Sequence, residues 1–279
     1  MNEPDNTDAR AYVRFAALGD SATYGIGDPV DGGWRGWARI LADAIAAQHD
    51  LSFCNLSVPG ATADRVCLDQ LDRALEHTPQ IASLIVGLND TMRSTWDPEQ
   101  VHTDLMQCAD ELSHRGALLL TARFHDHSRV FRLPRTLARP MARRIEALNA
   151  AYDEIHSTYG SLQVDLAAEP QIYDRAFWSI DRLHPSELGH RVLASRFAAL
   201  LNEQGLPFDL PSLSCTGTPT KMSHAKWLAT EVAPWVGRRA RDLAPTAARL
   251  AVTQARTRLT ARRPVLGLPV GETPAPRSA

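Results

Sequence analysis

The chain has 279 residues, 44% of them hydrophobic, and its 30 Lys and Arg against 32 Asp and Glu leave a net charge of −2. That length can bury a sizeable core, and no apolar run approaches the length needed to cross a bilayer, which sets aside a helical membrane-spanning protein. The first ten residues are polar and acidic rather than basic then apolar, so no secretory signal is expected and the protein is expected in the cytoplasm. In chain order, strands are expected over 12–18, 51–57, 82–87, 117–122 and 162–166, with helices over 34–48, 63–76, 98–114, 137–158 and 185–202. Strands alternating with helices are the pattern of a parallel sheet covered by helices. The expected fold is therefore α/β, a three-layer α/β/α sandwich of flavodoxin-like type with a five-stranded parallel sheet. An N-terminal tail over 1–11 precedes the domain at 12–204. A linker over 205–220, a basic helical extension over 221–263 and a Pro-rich tail over 264–279, expected to be disordered, complete the chain.

Special residues follow the strands. The apolar run ending at Leu18 stops at Gly19-Asp20-Ser21, which presents a serine at the carboxyl end of a strand, where open α/β sheets bind their ligands. The tripeptide alone is also what a strand-to-helix turn uses, because serine is a good N-cap. Val58-Pro59-Gly60-Ala61 follows the second strand and Gly87-Leu88-Asn89-Asp90 the third, although Gly60 also fits a simple turn and Asn89 a helix cap. Far downstream, Asp181-Arg182-Leu183-His184-Pro185 sets an acid three residues before a histidine. A serine at a strand end and a distant histidine suggest a nucleophile with its base.

These four segments, in this order, resemble the blocks of the SGNH hydrolases, also called the GDSL esterase and lipase family, over about residues 12–204. Gly19 to Ser21 matches the nucleophile block, Gly60 the glycine block, Gly87 to Asp90 the GxND block and Asp181 to Pro185 the DxxHP block. Ala22 stands where the family's short name has leucine. The resemblance implies a serine hydrolase of small acyl, acetylated-sugar or lipid esters that needs no metal or organic cofactor. Ser21 is then the nucleophile, His184 takes the hydroxyl proton, and Asp181 fixes the imidazole tautomer and offsets its charge. The N–H groups of Ser21 and Gly60 and the Asn89 amide are the expected oxyanion hole. Acyl transfer to an alcohol or amine of a metabolite uses the same groups and stays open. So does a non-catalytic protein that binds a membrane or an acidic partner through its basic end.

Asp20, beside the nucleophile, is expected to brace its loop by hydrogen bonding and stands next to any substrate. Trp34, Trp96, His125 and His127 are candidates to line a substrate site, and Trp34 with Trp37 could wall it, although tryptophans at such places commonly anchor helices. His125-Asp126-His127 lacks the further ligands a metal needs, so no metal site is expected. Seven arginines between Arg123 and Arg144 would favour an anionic acyl group if they faced the cleft, and are otherwise a solvated surface. Cys54, Cys67, Cys108 and Cys215 have no metal-like spacing and are expected as free thiols. From Lys221 to Ala279 the local balance is +8, with Arg249, Arg256 and Arg263 at heptad spacing, against −10 for the preceding 220 residues. Such a segment can touch an anionic membrane surface or pack on its own acidic domain. No nucleic-acid module accompanies it, so no nucleic-acid partner is expected, and Gly25-Ile26-Gly27-Asp28 is no phosphate cradle. The oligomeric state is left open.

Overall fold

The computed structural model describes residues 10–215 and Gly237. Gly237 aside, the basic extension and the Pro-rich tail expected from the sequence lie outside the described residues, as do most of the N-terminal tail and the end of the linker. In chain order the elements are β1 (Tyr12–Gly19), α1 (Ser21–Tyr24), β2 (Pro29–Val30), β3 (Gly33–Trp34), α2 (Gly36–Ala46), β4 (Asp50–Asn55), α3 (Ala63–Asp69), α4 (Leu71–Glu76) and β5 (Ile81–Ile85). Then come α5 (Leu88–Thr91), α6 (Pro98–His114), β6 (Leu118–Arg123), α7 (His127–Phe131), α8 (Arg135–Tyr159), β7 (Leu162–Asp165), a 3-10 turn at Arg175–Phe177 and α9 (Glu187–Glu203).

The five strands expected from the sequence form one parallel sheet in the order β4-β1-β5-β6-β7. Parallel sheets are covered on both faces, so their strands read as continuous apolar runs. Every residue of β5 is buried, as is β1 from Phe15 to Gly19. Helix α2 packs on α9 at one face, while α6 lies between α3 and α8 at the other. The chain leaves β1 for β4 on one side and returns for β5 on the other, and the crevice at such a switch point is where this class of sheet binds ligands.

Helix α6 begins where the sequence puts it, because Asp97 caps it by accepting from the Glu99 and Gln100 N–H groups and Pro98 fills the first turn. Three expectations need correction. The helix expected over 34–48 starts only at Gly36, because Trp34 pairs with Pro29 in a short antiparallel ribbon and the chain turns at Gly36, with a φ of 69°. The single helix expected over 63–76 is two, interrupted at Gln70, whose side chain reaches across to β1. The segment expected to open a linker is packed on the domain: Phe208 is buried in the core and pairs with the Asn202 side chain through both its N–H and its C=O.

Three helix-borne or loop side chains close the ends of three neighbouring strands. Gln70 accepts from the Gly19 N–H and donates to the Gly19 C=O, both at 2.9 Å. The Tyr152 hydroxyl accepts from the Val86 N–H at 2.9 Å and donates to the Val86 C=O at 2.7 Å. Asn149 does the same for Phe124 at 2.7 and 2.8 Å. A buried backbone group left unpaired costs about 1–3 kcal/mol. Gln70→Met therefore strips the Gly19 N–H of its partner, while the Gly19 C=O keeps the Val58 N–H at 3.2 Å, and is expected to lower the melting temperature by more than about 2 °C, given about 2–4 °C per kcal/mol for a chain of this size. Differential scanning fluorimetry of the variant checks it, and an unchanged melting temperature rejects the clamp.

Candidate active site

The serine, histidine and acid drawn from opposite ends of the folded region meet at the carboxyl edge of the sheet. Ser21 opens α1, immediately beyond β1, and its Oγ lies 2.9 Å from His184 Nε2. His184 Nδ1 lies 2.7 Å from Asp181 Oδ2. A carboxylate is an acceptor, so the Nδ1 carries the proton and Nε2 presents a lone pair to the serine hydroxyl. Burial pushes the Asp181 carboxyl up, but the His184 hydrogen bond and charge, the Ser179 hydroxyl and the His184 N–H together hold it well below the carboxylate range. Asp181 Oδ1 also binds the Leu183 N–H at 2.9 Å, so the acid organises the turn that carries the histidine.

The block that carries Ser21 is locked onto the block that carries His184. Arg35 forks onto both Asp28 oxygens at 2.8 and 3.0 Å and reaches Glu187 at 2.9 Å, and Glu187 is in turn held by Arg191. Buried His190 donates to the Ile26 C=O at 2.9 Å and accepts from the Trp37 N–H at 3.2 Å. Burial pushes its imidazole down to about 4, so it bridges as a neutral ring. A Cβ on Gly27 would stand 1.9 Å from the Pro185 carbonyl oxygen, so only glycine permits this approach of the two blocks. The sequence offered Gly25-Ile26-Gly27-Asp28 as a bare pair of glycines and gave no sign of His190, whose partners are about 160 residues away.

The expected anion-binding donors are not all equally placed. Among the described residues, the N–H groups of Ser21 and Gly60 enter none of the turn, loop or cap hydrogen bonds. Gly60 has a φ of 82°, and a Cβ there would meet no atom within 4 Å, so backbone conformation and not crowding calls for glycine. Asn89 Nδ2 already donates twice, to Asp20 Oδ2 and to the Ala61 C=O, each at 3.1 Å. Asp20 braces this cluster: one carboxylate oxygen caps α1 through the Ala22 N–H at 3.0 Å and the other receives Asn89. Both of its oxygens are thus used within the protein, and it is 6% exposed.

The other candidates are displaced from the lining expected of them. His125 and His127 are buried and bonded to each other at 2.8 Å, behind the Asp181 turn. Trp37 is fully buried against Phe197, while Trp34 sits half-buried in the β2–β3 ribbon. Trp96 packs partly buried on the core and lines a pocket of about 180 Å³ with Thr62, Asp64, Asp90 and Arg93. Arg93 donates to the Gly60 C=O at 3.3 Å, which sets this pocket behind the glycine block, and neither Ser21 nor His184 lines it. Burial pushes Asp90, which accepts from the Ala63 N–H, up to about 7. The arginine-rich segment forms no anion pocket: Arg144 binds the carbonyls of Thr91 and Arg93, Arg123 pairs with Asp153, and Arg129, Arg132, Arg135, Arg139 and Arg143 are exposed. The four cysteines are free thiols. Among the described residues no group of three His, Cys, Asp or Glu is placed to hold a metal, and no helix is long and apolar enough to cross a membrane.

The sequence pattern of the GDSL-like Lipase/Acylhydrolase family matches residues 17–192, well over half of the chain. Solved structures of similar fold include an esterase from Pseudoalteromonas sp. inhibited by monoethylphosphonate, at 17% identity and a TM-score of 0.55 over 70% of this chain and 99% of that one. A lipase/acylhydrolase from Enterococcus faecalis gives 20% and 0.55 over 72% and 99%. A catalytic mutant of an acetylxylan esterase from Geobacillus stearothermophilus gives 18% and 0.58 over 74% and 99%. At these identities the likeness is one of fold. No curated protein matches the sequence.

Burial pushes the Asp20 carboxyl from 3.8 up to about 6, against the pull of the Ala22 N–H, His184 and Asn89. A carboxyl with a raised folded-state pKa binds more protons folded than unfolded, so its contribution is full below about 3.8 and lost as the pH rises through about 6, on the order of 3 kcal/mol in all. Asp20→Asn should remove that slope. Urea midpoints at pH 4.5 and 7.5 are expected to differ less in the variant than in the wild type, and equal differences would reject the assignment.

Proposed function

The chain belongs to the GDSL-like lipase/acylhydrolase family, the SGNH hydrolases, and from that premise we propose that it cleaves a carboxylic ester through an acyl-serine intermediate on Ser21. The observation that carries the reading is the unbroken chain from the Ser21 hydroxyl through both nitrogens of His184 to Asp181, at 2.9 and 2.7 Å. Ser21 Oγ attacks the acyl carbon while His184 Nε2 takes its proton, and Asp181 offsets the imidazolium that forms. The negative charge on the carbonyl oxygen meets the Ser21 and Gly60 N–H groups. Asn89 joins them by exchanging its bond to the Ala61 C=O for the oxyanion. Collapse expels the alcohol, which takes the proton from His184, and a water activated by the same nitrogen then releases the acid and restores Ser21.

Exposed apolar side chains close in sequence to the site residues suit an apolar acyl group. Tyr24, Val58 and Ile180 are exposed at 41, 51 and 36%, and each lies within three residues of Ser21, Gly60 or Asp181. Apolar surface of this kind gains about 25 cal/mol per Å² on contact with an acyl chain. The unit that carries the chemistry is the domain at 12–204 with residues 205–215 packed upon it.

Two substitutions test the assignment. Ser21→Ala is expected to abolish hydrolysis of a short-chain aryl ester and labelling by a phosphonate, with the melting temperature unchanged. Asn89→Ala is expected to lower kcat about 10²–10³-fold with little change in KM, as for a donor that acts on the transition state. Wild-type turnover in Ser21→Ala would refute the nucleophile.

A further inference from the structure

Two buried imidazoles outside the proposed chemistry stand directly behind the loop that carries its acid and base. Arg182, between Asp181 and His184, has a φ of 58°, in the left-handed region, which is costly for a residue with a side chain. The base of this loop is pinned by the Ser179 N–H to the His184 C=O at 2.9 Å and by the Ser186 N–H to the Phe177 C=O at 2.8 Å. Its tip, residues 180–183, is tied internally by Asp181. Among the described residues one hydrogen bond reaches that tip from another element: His127 Nε2, on α7, to the Arg182 C=O at 3.1 Å.

The partners settle the tautomers. A carbonyl only accepts, so His127 carries its proton on Nε2 and leaves a lone pair on Nδ1. That lone pair receives the Nε2–H of His125 at 2.8 Å. His125 Nδ1 is then a bare lone pair, and it has no hydrogen-bond partner. Burial holds both rings neutral, His127 down at about 3. Trp178 wedges them, its ring centroid 4.9 Å from each, and the Trp178 backbone bridges Pro185 at the base of the same loop.

We propose that His127, oriented by His125, is a positioning residue that holds the Arg182 carbonyl and thereby keeps Asp181 and His184 aligned on Ser21. Its kinetic consequence rests on the hydrolase reading above; its structural consequence does not. Without the tie, Arg182 relaxes from its left-handed conformation and carries the neighbouring acid and base with it. Misplacement of a catalytic group by about 1 Å costs on the order of 10²-fold in rate.

The test uses the full chain and three variants. His127→Leu is expected to lower kcat for a short-chain aryl ester roughly 10- to 100-fold at nearly unchanged KM. The downfield proton signal of the His184–Asp181 hydrogen bond should disappear in the same variant. His127→Gln keeps an amide donor within reach of the carbonyl and is expected to restore most of kcat and the proton signal. A folded His127→Leu with wild-type kcat and signal overturns the proposal, as does a kcat loss that His127→Gln does not rescue. Should His127→Leu fail to fold, His125→Phe decides: lowered kcat at unchanged KM supports the proposal and wild-type kcat overturns it. If the wild type itself turns over no ester, the hydrolase reading fails, while the proton signal still decides the positioning role.

Discussion

A strand that ends inside a protein leaves its last N–H and C=O without the ladder that satisfied them, and this molecule meets that constraint with side chains. Gln70, Tyr152 and Asn149 each take both groups of one residue, at Gly19, Val86 and Phe124. The residues that follow are Asp20-Ser21, Gly87 to Asn89, and His125 to His127. The paired backbone fixes where each of these turns begins, and a side chain one to three positions further on inherits that precision. Gln70 sits at the junction of α3 and α4, where its side chain is free to reach β1.

Aligned strand ends do not by themselves bring His184 to Ser21, since the histidine lies beyond the last strand. That distance is closed by contacts between the two blocks: the Arg35 fork on Asp28 with its reach to Glu187, the neutral His190 bridge, and the backbone approach at Gly27. The side chains in this seam are largely shielded from water. An ion pair there is strong only because its remaining hydrogen-bonding capacity is filled, and Asp28 also accepts from the Gly36 N–H at 3.2 Å. Short loops with left-handed glycines, rather than large apolar area, hold the site together.

The sequence exposed the parts of this design that repeat along the chain and hid the parts that cross it. Strand-length apolar patterns, nearly continuous in β5 and β6 and interrupted by polar residues in β4 and β7, marked the five strands, and Asp97-Pro98 marked the start of α6, because those signals are local. Ser21, Asp181 and His184 were legible as residue types at strand ends and fixed spacings, and they are brought together. Gln70, Asn149 and His190 were not legible, because a buried polar residue within a helical pattern looks like an ordinary helix residue until its distant partner is known. His125 and His127 were legible as a pair after a strand, yet burial turned them away from a cleft and onto the Arg182 carbonyl. Of the Arg123 to Arg144 segment only the stretch from 137 was expected as helix, whereas α7 and α8 take up most of it and expose one side.

Two carboxyls lie near His184, and their surroundings drive them in opposite directions. Asp181 and Asp20 are both buried, and burial alone raises both. Asp181 overcomes it because the histidine, a serine hydroxyl and two backbone N–H groups all donate to it. Asp20 has one N–H and one amide and does not. The imidazole therefore has one dependable anion, on the nitrogen away from the serine, which orients its other lone pair at Oγ. Asp20 is engaged by the Ala22 N–H and the Asn89 amide, which leaves Nε2 of His184 to the hydroxyl.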